Sequence, residues 1–215
     1  MNRPIFHDRR SAGALLGLEV AKTRLDRPVV LGLPRGGVPV AAQVATEINA
    51  PLDVIVVRKL GAPGQPELAM GAIGENGVVV VNDDVLQAGQ IDAGVFAEVE
   101  RRERTTLDGS VVVMRAVRER LDVNGCSAVI VDDGAATGAT MRAAIAVARA
   151  AGARMVIAAT PVAPDDVVEA LRSRADGVVC LAQPHPFGSV GRWYRHFEAV
   201  TSAEVLDLLT AANRQ

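Results

Sequence analysis

Runs of consecutive apolar residues alternate along this chain with stretches whose apolar positions recur at helical spacing. "PVVLGL" (28–33), "LDVIVV" (52–57), "SAVIVD" (127–132), "RMVIAAT" (154–160) and "GVVCLA" (177–182) are apolar at successive positions rather than every second one. Strands apolar on both faces belong in parallel sheets covered by helices on each side. "VPVAAQVATEIN" (38–49), "GATMRAAIAVARAAGA" (138–153) and "PDDVVEALRSRA" (164–175) predict helices between them. The alternation predicts an α/β fold built on a doubly wound, mainly parallel sheet. Ligands of such sheets lie beyond the carboxyl ends of the strands.

The rhythm breaks between Gly61 and Gly125. "GAPGQPELAMGAIGENG" (61–77), rich in Gly and Pro, is expected to be a mobile loop opening an insertion over 61–127. "VVVVND" (78–83) predicts a short strand, one arm of a hairpin that turns through "ENG". "VFAEVERRERTTL" (95–107) predicts a charged helix, with Glu98 and Arg102, and Glu100 and Arg104, at i,i+4 spacing. A helix over residues 8–25 and a C-terminal hood or tail over 183–215 are read as one cap, and residues 1–215 as a single domain.

Composition narrows this picture. The chain is 49% apolar yet has one Trp, one Tyr and four Phe, so Val, Ala, Leu and Ile must fill the core. A formal charge of −2 argues against a general nucleic-acid binder. A basic stripe would require Arg101, Arg102, Arg104, Arg115, Arg118 and Arg120 to share a face. Cys126 and Cys180 lack CxxC spacing and read as buried free thiols. The first residues carry no leader pattern, and no run approaches the roughly 18 apolar residues of a membrane span. The expectation is a soluble, cytoplasmic protein.

The chemistry concentrates in "VIVDDGAATGAT" (129–140). Asp132 and Asp133 fall where a buried strand ends, and a Gly/Thr turn then opens a helix. Such a turn presents free N–H groups and the positive end of a helix dipole, which suit a phosphate. Carboxylates would repel that phosphate; they suit vicinal hydroxyls or a hydrated divalent cation. A phosphate beside a diol describes a ribose 5-phosphate.

This string resembles the phosphoribosyl pyrophosphate (PRPP) motif of type I phosphoribosyltransferases. The resemblance places the ribose hydroxyls on Asp132 and Asp133, and the 5-phosphate on Ala135, Ala136, Thr137, Gly138, Ala139 and Thr140. Ala136 stands where many members carry a further Thr, so one hydroxyl contact is missing. "LPRGGVPVA" (33–41) is similar to the family's pyrophosphate loop, with Arg35 supplying charge and Gly36 and Gly37 exposing backbone N–H groups. "VVRKLG" (56–61) resembles the Arg-Lys pair of several purine phosphoribosyltransferases, Arg58 and Lys59 neutralising the leaving group. The likeness covers roughly residues 28 to 182. With "VRKLGAPGQPELAMGA" and the tail "PFGSVGRWY", the whole is similar to a family of stand-alone predicted phosphoribosyltransferases.

The resemblance implies transfer of a phosphoribosyl group from PRPP to a nitrogen of a small, nucleobase-like acceptor, with release of pyrophosphate, as in purine salvage. It implies Mg²⁺ held mainly by PRPP and water, with Asp132 and Asp133 as the protein's nearest ligands, and a closing loop over the leaving group. Homodimers are common in the family. Phe187, Trp193 and Tyr194, in an aromatic-rich tail with Phe197, are candidates to stack the acceptor or to pin the tail. Glu67, His185 and His196 allow a site role without demanding one. The rival from another class is a PRPP- or nucleotide-sensing regulator with little turnover. A response-regulator receiver is a third class, but its acidic pair belongs to the first strand and precedes no T-G-x-T. No Walker A, GxSxG or HExxH string occurs.

Overall fold

All five apolar runs contribute to one parallel sheet, although one of them serves two sheets. The computed structural model describes residues 4–212. Its elements run α1 (Arg9–Val20), β1 (Pro28–Gly32), α2 (Gly37–Glu47), β2 (Leu52–Val54), β3 (Val57–Ala62), β4 (Gln65–Gly74), β5 (Val79–Val81) and α3 (Asp83–Ala88). They continue with α4 (Ala93–Arg115), β6 (Ser127–Val131), α5 (Ala139–Ala150), β7 (Met155–Val162), α6 (Asp165–Arg172), β8 (Gly177–Ala182) and α7 (Ser202–Ala212), with a 3-10 turn at Val190–Trp193.

The main sheet has the order β2-β1-β6-β7-β8, and every pairing in it is parallel. Alternate residues of its strands point to two separate cores. Val30, Val129, Val131 and Ile157 meet α1, α2 and α7 through Leu16, Val44 and Leu209. Leu31, Ala128, Ile130 and Val156 meet α5 and α6 through Met141, Ile145 and Leu171. Each fully buried Val, Leu or Ile contributes about 1.5–3 kcal/mol, so small aliphatic residues suffice without rings. Cys126 is buried and Cys180 partly buried, and both are free thiols. Burial raises the Cys180 thiol above its ordinary range. Among the described residues no helix is long and apolar enough to cross a membrane.

The insertion departs from expectation. The run 52–57 does not stay in one strand: β2 ends at Val54, the Ile55 N–H donates to the Gly32 carbonyl at 3.1 Å, and the chain then leaves for a second sheet. That sheet is antiparallel, in the order β3-β4-β5. Residues 61–77, expected as a loop, supply the whole of its long central strand, β4. Pro63 and Gly64 (φ +73°) form its first turn, and their types suit that geometry, because Pro fixes φ negative and Gly accepts the left-handed residue. The second turn runs through Glu75, Asn76 and Gly77 and joins β4 to β5, as the hairpin reading expects. The charged helix extends to Arg115, well past the expected Leu107, and α3 and α7 have no counterpart among the elements expected from sequence.

One ionic clasp ties the insertion to the parallel sheet. Arg115, at the end of α4, donates from Nη1 to Asp53 Oδ1 (2.7 Å) on β2 and from Nε to Glu75 Oε2 (2.7 Å) at the β4–β5 turn. Asp53 is fully buried and also accepts the Leu121 N–H at 2.9 Å.

Candidate functional site

The strand order reverses between β1 and β6. β2, which follows α2, lies on one side of β1, whereas β6 lies on the other, and α2 and α5 pack on opposite faces of the sheet. This is the switch point at which open α/β sheets form a crevice. The loops 33–37 and 132–139 meet there. The Pro34–Arg35 peptide is cis. A Cβ on Gly36 would overlap the Asp133 carboxylate, and one on Gly37 would lie 2.6 Å from the Val131 carbonyl oxygen. Glycine is required because the two loops touch. Gly37 is not the free donor expected from the sequence, since its N–H donates to the Leu33 carbonyl at 3.0 Å.

Asp132 and Asp133 follow β6 without a break. The Asp133 N–H donates to Asp132 Oδ1 at 2.9 Å. Burial, and next the charge of Asp133, push the Asp132 carboxyl well above the usual carboxylate range. Asp133 has a cationic partner absent from the sequence expectations: Arg9 Nε donates to its Oδ2 at 2.7 Å, with both side chains almost covered. The Arg9 guanidinium lies 3.8 Å from the centre of the Phe197 ring and donates from Nη1 to the Glu198 carbonyl at 2.8 Å. Phe197 stacks on Tyr194 with centroids 5.0 Å apart, and the Tyr194 hydroxyl donates to the Asp133 backbone carbonyl at 2.6 Å. Burial, and next the charge of Asp133, raise that phenol above its ordinary range. The sequence signal for Arg9 is "DRR": Asp8 caps α1, and two arginines then stand where the helix dipole disfavours cations.

The loop expected to take a 5-phosphate runs from Ala135 into α5, and one of its expected donors is already engaged. Ala135 is buried and its N–H donates to the Val162 carbonyl at 2.9 Å, so it is not available to an anion. Ala136 and Thr137 are exposed and Thr140 is accessible from the crevice, and the first-turn N–H groups of α5, which starts at Ala139, have no intrahelical acceptor. Gly138 has φ +66°, and a Cβ there would meet Val167 Cγ1 at 2.8 Å. Both backbone and packing therefore demand glycine at this N-cap.

The cations divide. Arg35 and Arg58 line one open cavity of about 420 Å³ together with Thr140, Thr106, Ser110 and Val113. Arg58 also pairs with Glu103 at 2.9 Å. Lys59 lines a different cleft of about 590 Å³, between the β3–β4 turn and α4. Successive residues of a strand face opposite sides, so β3 cannot present Arg58 and Lys59 to one anion together.

The aromatic tail pins rather than opens. Trp193 and Tyr194 are 2% and 4% exposed, packed with Phe6, Val162 and Phe187. The Trp193 indole N–H donates to the Phe187 carbonyl at 3.0 Å. Neither ring offers a face to an acceptor, which corrects the stacking assignment of Trp193 and Tyr194. Phe187 is partly buried in the same cluster. His185 is exposed, and His196 lies against His7 with ring centroids 4.9 Å apart. The side chain of Glu67 lies outside the described residues.

Residues 15–90 and 91–190 match the phosphoribosyl transferase domain family. A provisionally named phosphoribosyl transferase of Mycobacterium tuberculosis strain H37Rv is 51% identical over 210 residues, which are 98% of this chain and 47% of that protein. A protein of the same provisional name from strain CDC 1551 matches equally. The chain thus spans about half the length of these curated relatives. The crystal structure of TT1426 from Thermus thermophilus superposes with a TM-score of 0.92 at 44% identity, covering 98% of this chain and 99% of that one.

Proposed function

The chain belongs to the phosphoribosyl transferase family, and on that premise we propose that it moves the 5-phosphoribosyl group of PRPP onto a nitrogen of a small, nucleobase-like acceptor and releases pyrophosphate. The observation that carries this reading is the contact of two loops at the switch point. There Gly36 touches the Asp133 carboxylate, and the open N-terminus of α5 follows six residues later in the same loop.

In this reading Asp132 and Asp133 accept the ribose hydroxyls. Residues 136–140 receive the 5-phosphate through Thr137, Thr140 and first-turn N–H groups. Arg35 and Arg58 face the departing pyrophosphate. Such a reaction asks the protein to position groups and stabilise developing charge rather than to supply a nucleophile. Lys59, on the opposite face of β3, is left out of the leaving-group assignment.

The donor set suits Mg²⁺ that arrives with its substrate. Among the described residues no group of three or more His, Cys, Asp or Glu side chains could hold a metal. Two adjacent carboxylates beside phosphate oxygens fit the way Mg²⁺ is usually held in phosphate-binding sites. Asp132 and Asp133 would be its protein-side neighbours, and the ion would neutralise pyrophosphate as it leaves.

Calorimetric titration of the full chain with PRPP, with and without Mg²⁺, tests the reading. Mg²⁺-dependent binding, followed by pyrophosphate release with a purine, pyrimidine or small amine, is the expected result. Absence of PRPP binding would sink it. Binding without release for any acceptor would favour the sensing reading. Light scattering on the same sample tests the homodimer that family membership suggests.

A further inference from the structure

Arg9 stands at the first position of α1, and Arg10 follows it, with no acidic residue in that first turn. Cations at this end of a helix oppose the dipole, so local helix stability does not explain them. Where a sequence breaks a local rule, the compensation is sought in a site. For Arg9 it is visible: an ion pair to Asp133, a ring beneath the guanidinium and a carbonyl at its edge. Two parts of the chain far from Arg9 in sequence, Asp133 and the adjacent pair Phe197 and Glu198, converge on its guanidinium, and the Tyr194 hydroxyl ties the same aromatic stack to the Asp133 backbone.

We infer that Arg9 is a built-in counter-cation and positioning residue for Asp133. It holds the carboxylate toward a neutral diol and keeps the acidic pair from collecting a free divalent metal in the absence of substrate, so that any such ion enters on a diphosphate. The inference rests on reading Asp132 and Asp133 as ribose-hydroxyl acceptors. Its physical basis is simple. Two adjacent carboxylates with no cation beside them are an attractive site for a dication. With the Arg9 charge 2.7 Å from one of them, a metal must displace that pair or sit against a like charge.

The test is titration of Mn²⁺, followed by its free-ion paramagnetic resonance signal, into the full chain without nucleotide. Wild type, Arg9→Gln, Arg9→Lys and the double variant Arg9→Gln with Asp133→Asn are compared. Arg9→Gln should bind Mn²⁺ roughly tenfold tighter than wild type. Arg9→Lys should stay near wild type, and the double variant should lose the gain. A merely structural role for Arg9 would not create metal affinity. No gain in Arg9→Gln, or a gain that survives Asp133→Asn, overturns the inference.

If Arg9→Gln does not fold, Phe197→Leu removes the ring beneath the guanidinium and keeps both charges. It should show a smaller gain in the same direction, and none at all overturns the inference. A calorimetric arm with ribose 5-phosphate should find Arg9→Gln weaker than wild type by about tenfold. Wild type that takes no ribose 5-phosphate overturns the substrate reading, while the Mn²⁺ arm still decides on Arg9 as guardian of the acidic pair.

Discussion

The strand that delivers the acids and the strand that delivers the cations are built differently. Every residue of β6 is buried, and it is paired on both sides within the parallel sheet. β3 is buried at Leu60 and Ala62 only, lies at the edge of a three-stranded sheet, and has register irregularities at Gly61. Burial of β6 fixes the backbone from which the partly exposed Asp132 and Asp133 project. Arg58 sits on a half-covered element joined to that core mainly through the Arg115 clasp and the packing of α4 and α5. The proposed transfer asks for a fixed ribose and a leaving group that can be released, and the difference between the two strands is consistent with that proposal.

The largest effect expected from breaking this division is at Arg115. Arg115→Ala strands two buried carboxylates and should cost about 3–5 kcal/mol in urea unfolding. Hydrogen exchange should show β3–β5 amides losing protection before those of β1 and β6. Simultaneous loss in both sheets would mean that the insertion has no separate stability.

Next comes the acid end. Asp132→Asn with Asp133→Asn should weaken PRPP binding by about 100-fold, since hydrogen bonds to charged groups contribute roughly 1.5–3 kcal/mol each. The far-ultraviolet dichroism should be retained. Unchanged PRPP affinity would remove these residues from the site. Gly138→Ala should destabilise by about 1–2 kcal/mol, because the added methyl meets Val167 at a left-handed backbone position. A thermal melt unchanged from wild type would show that the loop can relax.

The smallest effect tests the support of Arg9. Asp8 caps α1, and the Ser11 N–H, followed by the His7 ring, holds its carboxyl down to about 2 from the ordinary 3.8. A depressed acid stabilises the fold above its unfolded value and loses that contribution as pH falls through the folded one. Asp8→Ala should therefore cost about 1 kcal/mol near neutrality. The gap to wild type should narrow as the pH falls from about 4 to 2. A gap constant across that range would mean the cap does not act through its charge.

The parallel sheet is legible in the sequence because its strands need apolar residues on both faces, and that leaves unbroken runs. The same property hides the departure at Ile55: "LDVIVV" feeds two sheets, and nothing in its hydrophobicity marks where one ends. The insertion reads as a loop because "GAPGQPELAMGAIGENG" is dense in Gly and Pro, yet it spends them on two tight turns and a close strand crossing at Gly61. At the site, Asp132, Asp133 and the loop through Thr140 can be read because their chemistry is contiguous. Arg9 lies 124 residues from its partner, and no local pattern states a contact of that range. Arg58 and Lys59 read as a pair only while adjacency in sequence is allowed to ignore the pleat.

The N-terminal segment and the aromatic tail close on each other behind Asp133. Ile5 and Phe6 donate their N–H groups to the Trp193 carbonyl, each at 2.9 Å, and the Phe6 carbonyl accepts a bond from the Arg195 N–H at 3.0 Å. They work as the two halves of a buckle. A protease cut between Val190 and Phe197 should slacken the strap that holds Tyr194 and Arg9. The acidic pair would register damage inflicted some 61 residues away from it in the chain.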